Sequence, residues 1–183
     1  MDKYIFLDID GVLATPESIK DGTWGLVDAR QNQFKKLMEE PNDSIDWVRP
    51  KIVLSSSWRK WDLETTREFM KEEGFWYWGD IIGVTIRAYQ YLDRTKKIHL
   101  SIPRGVEIKQ WIDANIHSDN GKNYNKKRLG IDYKYLILDD ENDMLLEHKD
   151  YFVKTHPTKG LTSEDVKKAN RILGNDFSLH NLK

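Results

Sequence analysis

The sequence predicts an α/β fold: a doubly wound, mainly parallel, five-stranded sheet with helices packed on it. Three observations carry this. Short runs of consecutive apolar residues, Tyr4–Leu7, Ile52–Leu54 and Tyr135–Leu138, have the unbroken pattern of strands buried on both faces. Stretches with helical spacing alternate with them along the chain. Each of the three runs ends in polar residues, Asp8, Ser55 and Asp139. In sheets of this kind ligands bind beyond the carboxyl ends of the strands, so residues far apart in sequence would meet at one edge.

The first element is Tyr4–Leu7, a β-forming run that stops abruptly at Asp8-Ile9-Asp10-Gly11. The polar stretch 14–26, with Pro16 and Gly22, reads as a flap. Asp28 is a candidate cap for a helix to about Glu40, with Phe34, Leu37 and Met38 inward, and Pro41–Ser44 breaks it. Lys51–Ser55 is the second strand, followed by Ser56, Ser57, Trp58 and Arg59. A helix over Leu63–Glu73 is stopped by Gly74, and the aromatic run Phe75–Trp78 is expected in the core or at a packed edge.

Asp80–Thr85 is the third strand, whereas 87–103 shows no single pattern and is left unassigned. Val106, Ile108, Ile112 and Ile116 mark a helix over Arg104–Ile116. The segment 117–130 reads as a basic surface insertion containing Gly121, Tyr124, Lys126, Lys127 and Arg128. Tyr135–Asp139 is the fourth strand and Tyr151–Lys154 the fifth. Thr162–Asp165 opens a last helix, to about Leu173, with a capping box that uses Asp in place of Glu. No linker or repeat divides the 183 residues, a length suited to one domain.

Composition narrows the function classes. With 39% hydrophobic and 32% charged residues the chain reads as soluble and globular. A formal net charge of −1 gives no global attraction to nucleic acid or membrane. The absence of cysteine excludes disulfides and thiolate chemistry. No signal peptide or spanning segment is visible, so a cytoplasmic location without membrane association is expected. The five histidines show no ligand spacing. Oligomeric state is not legible.

The chemistry lies in the strand ends. Asp8 and Asp10, at i and i+2 beyond a buried strand, can point the same way, and Gly11 lets the chain turn off. Paired carboxylates suit a hard cation such as Mg²⁺ and an anionic substrate. Hydroxyls after a buried strand, as at Ser55 and Ser56, suit a phosphate, although one of them could instead cap the next helix.

Taken in order, Asp8-Ile9-Asp10-Gly11-Val12, Ile52-Val53-Leu54-Ser55, a cation at a helix start, and Leu136-Ile137-Leu138-Asp139-Asp140 resemble the four motifs of the haloacid dehalogenase (HAD) superfamily. The SSSWR string with Arg104–Ile108 and LDD is similar, more narrowly, to the HAD domains associated with RNA-repair proteins. Arg104 fits the third motif, with Lys109 as competitor.

The resemblance implies a Mg²⁺-dependent phosphatase. Asp8 is then the nucleophile that forms an aspartyl-phosphate, and Asp10 the general acid/base. Asp8, Asp10 (through its backbone carbonyl) and Asp139 or Asp140, with Asp140 preferred, are the implied metal ligands. Ser55, Ser56 and Arg104 are the implied phosphate contacts, and Arg59, in the Trp58-Arg59 pair that follows the serines, is placed to take a second phosphate. An acid at position 10 separates phosphatases and phosphomutases from dehalogenases in that superfamily.

The short intervals between motifs predict a capless or minimally capped enzyme, open to large substrates such as the phosphorylated ends of RNA or DNA. The alternatives are a small-nucleotide phosphatase, whose flap closes over a monomer, and a non-enzymatic nucleic-acid-binding module. A receiver domain is disfavoured because the third strand, ending in Val84-Thr85, carries no acceptor Asp.

Overall fold

The computed structural model describes residues 1–18, 25–40, 47–87, 89–93, 98–116 and 132–175. The middle of the expected flap, the helix break at 41–44 and the basic insertion 117–130 lie outside the described residues.

Five strands form one parallel sheet: β1 (Asp2–Leu7), β2 (Lys51–Leu54), β3 (Ile81–Val84), β6 (Tyr133–Asp139) and β7 (Phe152–Lys154). Their order is β3-β2-β1-β6-β7. The chain moves outwards from β1 to β3, then crosses back to add β6 on the other side of β1. That reversal places the switch point between β1 and β6. The register pairs Ile5 with both Ile52 and Leu136, and Leu7 with both Leu54 and Leu138.

Strand alternation sorts the core into two layers. Ile5 and Leu7 face a cluster with Phe34, Leu37 and Met38 of α1 (Asp28–Met38), Met70 of α2 (Leu63–Glu72), and Val166, Ala169 and Leu173 of α4 (Ser163–Leu173). Tyr4 and Phe6 face Ile108, Ile112 and Ile116 at α3 (Arg104–Asn115). Ile5, Phe6 and Leu7 are fully buried. At about 1.5–3 kcal/mol each, their burial is comparable with the whole net stability of a domain. The strand that delivers the acidic turn is thus the one least free to move.

The predicted elements are present with small shifts of boundary, and three details differ. The Asp28 side chain does not cap α1; Val27 stands at the cap position and Asp28 is the first helical residue. The unassigned stretch forms an antiparallel hairpin, β4 (Tyr89–Asp93) with β5 (Ile98–Ser101). Among the described residues it is the sole addition to the α/β alternation between β3 and α3, in keeping with a minimal cap. The aromatic run splits: Phe75 and Tyr77 pack on Phe34, with centroids 5.9 and 5.8 Å apart, while Trp76 and Trp78 remain exposed. The Thr162–Asp165 capping box on α4 is as predicted. No helix among the described residues is long and apolar enough to cross a membrane.

Candidate active site

Backbone pairing continues one residue past each strand. Asp8 N–H donates to Leu138 O at 2.9 Å, Ser55 N–H to Leu7 O at 2.8 Å, and Thr85 N–H to Leu54 O at 3.0 Å. These bonds fix Thr85, Ser55 and Asp8 in one row along the carboxyl edge of the sheet, with Asp139 at the end of the neighbouring β6.

After Asp8 the chain folds tightly on itself. The N–H groups of Leu13 and Ala14 both donate to Ile9 O at 2.9 Å, and Gly11 N–H donates to Ala14 O at 2.8 Å. Gly11 has φ +67°, and a Cβ there would stand 2.3 Å from Asp140 Oδ2. Only glycine meets both conditions. The turn therefore brings the segment of the first acidic motif directly against the fourth. Thr155 Oγ1 donates to Gly11 O at 2.7 Å and clamps the turn from the β7 side.

Asp8, Asp139 and Asp140 each offer a carboxylate oxygen within 4.8 Å of the others. Asp8 and Asp139 are buried and Asp140 half-buried. Burial pushes the Asp8 carboxyl above its ordinary range, while Arg104, the Ser56 hydroxyl and the Ile9 N–H pull it back. Asp139 is raised by burial and then by the Asp8 charge, and Asp140 by burial and then by Asp10. Three carboxylates crowd this recess, and Arg104, 3.8 Å from Asp139, offsets their charge only in part. Their oxygen-only donor set fits a hard divalent cation such as Mg²⁺.

Asp10 stands beside this cluster. Its carboxylate accepts from Ser57 Oγ at 2.9 Å and from Trp58 Nε1 at 2.8 Å, one bond to each oxygen. Ser55 and Ser56 are buried. The Ser55 hydroxyl meets Thr85 Oγ1 at 3.3 Å, and the Ser56 hydroxyl accepts from the Trp58 N–H at 3.3 Å.

Arg104, at the first position of α3, bonds Ser55 O through Nη1 and lies 3.8 Å from Asp139 Oδ2 through Nε. Lys109 points elsewhere: its ammonium pairs with Asp113 at 2.9 Å and Glu147 at 3.8 Å. Of the two candidates for the third motif, only Arg104 is at the site.

Arg59 does not stand where a second phosphate would need it. Its guanidinium is buried in a 2.7 Å ion pair with Glu107 and donates to the carbonyls of Ser56 at 2.7 Å and Ile86 at 3.1 Å. The arginine instead braces the serine loop against α3.

Sequence reasoning missed several residues that build the site. Ser57 and Trp58 orient Asp10. Asp143 accepts from the Arg104 N–H at 2.7 Å and so caps α3 from a distant segment. Gly105 admits that segment, since a Cβ there would lie 2.4 Å from Leu145 N. Only the acidic run Asp139–Asp143 hinted at this, because acids favour helix N-termini.

Residues 4–166 match the family described as the HAD domain in Swiss Army Knife RNA repair proteins. The chain belongs to this family. No curated protein and no solved structure matches it. As a HAD domain it falls in a superfamily of hydrolases and phosphatases that generally use Mg²⁺, and its all-parallel five-stranded sheet is consistent with that fold. A family of RNA-repair domains is compatible with phosphorylated or nucleic-acid substrates.

Proposed function

We propose that this HAD domain is a Mg²⁺-dependent phosphomonoester hydrolase acting through an aspartyl-phosphate on Asp8, with terminal phosphates of RNA or DNA as its substrates. The observation that carries the reading is the meeting of Asp8, Asp139 and Asp140 at adjacent strand ends, their oxygens within 4.8 Å. Those three residues, with the Asp10 carbonyl, would hold the Mg²⁺. Bound there, the ion offsets the repulsion between an anionic nucleophile and an anionic substrate.

In the first step an Asp8 carboxylate oxygen attacks phosphorus, and the bond from phosphorus to the leaving oxygen breaks. Asp10 gives its proton to that oxygen. In the second step Asp10 takes a proton from water, which attacks the phosphorus of the acyl phosphate. Inorganic phosphate leaves and Asp8 is regenerated. The bonds from Ser57 and Trp58 hold the Asp10 carboxyl in one orientation for both transfers. Ser55, Ser56 and Arg104 bind the phosphate oxygens and spread the charge of the transition state.

In this reading residues 1–183 act as one cytoplasmic domain. The ends of segment 14–26 meet at the Ala14–Leu26 bridge, and Lys126, Lys127 and Arg128, outside the described residues, supply cations for the polymer.

The test compares phosphate release from 3′- and 5′-phosphorylated oligonucleotides and from free nucleotides. Asp8→Asn should lose more than about a hundredfold in turnover, about 2.7 kcal/mol of transition-state stabilisation, with the fold intact. Chelator should abolish activity and Ca²⁺ should restore it poorly. Full turnover by folded Asp8→Asn, or in excess chelator, would refute the mechanism. Free nucleotides hydrolysed as well as oligonucleotides, with a shallow dependence on salt, would refute the polymer substrate.

A further inference from the structure

A cavity of about 560 Å³ lies between residues 57–61 and residues 84–87, within the size range of small-molecule sites. Its wall includes two residues that touch the catalytic motifs. Ser57 bonds Asp10, and Thr85 bonds Ser55. The cavity thus adjoins the candidate active site through Ser57 and Thr85.

Among the described residues its lining contains no carboxylate and three cations. Two are already engaged. Arg59 is neutralised by Glu107, and the Lys60 ammonium sits 3.4 Å from the centroid of the Phe69 ring. Arg87 differs: its Nη2 donates to Ser57 O at 2.6 Å, which fixes the side chain without neutralising it. Among the described residues it pairs with no carboxylate. Arg87 therefore supplies a fixed, uncompensated charge, beside that of Lys60, which a ring face holds without neutralising. Trp61 also lines the cavity and is 85% exposed, with Ile86 at 56%. An indole left in water beside a fixed guanidinium suits a ligand that is both flat and anionic.

We propose that this cavity is a subsite for a nucleotide bearing a second phosphate: the base stacks on Trp61 and the second phosphate pairs with Arg87, while the first phosphate occupies the site of Asp8. The ligand class is a nucleoside bisphosphate unit, as found at the phosphorylated end of a single strand. The proposal rests on the phosphatase reading above and assigns its leaving group a place. It also moves the second-phosphate role from Arg59, which is buried and paired, to Arg87.

Binding to the Asp8→Asn protein, measured by calorimetry, tests the subsite without turnover. The probes are adenosine 3′,5′-bisphosphate, adenosine 3′-monophosphate and p-nitrophenyl phosphate. The bisphosphate should bind about tenfold more tightly than the monophosphate, and Arg87→Gln should erase that difference. Glutamine retains an N–H for Ser57 O, so loss of the preference reports the charge. Trp61→Ala should weaken both nucleotides about tenfold relative to p-nitrophenyl phosphate, within the range for base stacking, and Trp61→Phe should recover most of it. Equal affinity for the two nucleotides, or ratios unchanged in the variants, would overturn the subsite.

The same ratios read as kcat/KM in the wild-type background separate this proposal from the chemistry. Intact binding ratios without any hydrolysis would sink the phosphatase and support the subsite. Hydrolysis of all three compounds with equal efficiency in every variant would do the reverse.

Discussion

Glu107 carries no implied role in the chemistry, yet its loss should be among the more damaging single changes outside the candidate active site. Its carboxylate lies 2.7 Å from Arg59, and both side chains are only 5% exposed. At that distance the gross attraction is about 6 kcal/mol for an effective dielectric of about 20, against a desolvation cost of several kcal/mol per ion. The pair as a whole is therefore close to balanced. Breaking it is not, because Glu107→Gln removes the counter-charge and leaves the buried guanidinium with neutral acceptors only, the glutamine oxygen and the carbonyls of Ser56 and Ile86. The expected cost is about 3–5 kcal/mol, a fall in Tm of about 6–20 °C for a domain of this size. Equilibrium urea denaturation followed by tryptophan fluorescence measures it. Arg59→Met combined with Glu107→Leu should return to within about 1 kcal/mol of wild type, since apolar replacement of both partners removes the buried charge. A loss below about 1 kcal/mol in Glu107→Gln would show the pair to be solvated, and the brace between the serine loop and α3 would fail with it.

Gly11→Ala should cost about 1–2 kcal/mol through its positive φ. It should also weaken Mg²⁺ binding by calorimetry about tenfold or more, because its Cβ displaces the Asp140 carboxylate; unchanged affinity would count against Asp140 as a ligand. Burial holds the His148 imidazole below its ordinary pKa of 6.5, with the nearby Lys109 also lowering it and Glu147 opposing. At this residue the folded chain therefore binds fewer protons than the unfolded chain below about pH 6.5. His148 contributes a loss of stability as pH falls from there to its folded pKa, of up to about 1.4 kcal/mol per pH unit. His148→Phe, which keeps the edge contact to Tyr135, should flatten the stability profile in that window; parallel profiles would refute the assignment.

What the sequence made legible was what local chemistry dictates. The apolar runs gave the strands because residues buried on both faces leave no polar alternation, and the acids and serines that end them were visible as interruptions. Less legible was anything set by contacts between distant segments. Arg59 read as a free cation beside the serines, but its partner Glu107 lies 48 residues on, and no local pattern joins them. The Asp10 carboxyl was visible, whereas nothing local marks Trp58, 48 residues on, as the indole that orients it. The hairpin β4–β5 was missed because basic and aromatic residues there interrupt the two-residue period that marks a strand.

Strand order explains why this constellation and not another assembles. With β1 flanked by β2 and β6, only the ends of those two strands lie one strand spacing, about 4.8 Å, from Asp8. The end of β3 lies two spacings away. An acceptor aspartate there, as a receiver domain requires, would face Ser55 rather than the acids of β6. Instead β3 ends at Thr85, which bonds Ser55 and lines the cavity that holds Arg87 and Trp61. The edge is graded as a result. Acids cluster where β1 meets β6, hydroxyls follow at β2, and beyond them the cavity between the segments after β2 and β3 brings an exposed indole, Trp61, together with Arg87. An extended anionic chain lying along that edge would meet the metal-binding end first and the base-binding end last. A free inorganic phosphate would use only the first part, and this gradient is the physical reason to expect selection for a polymer end.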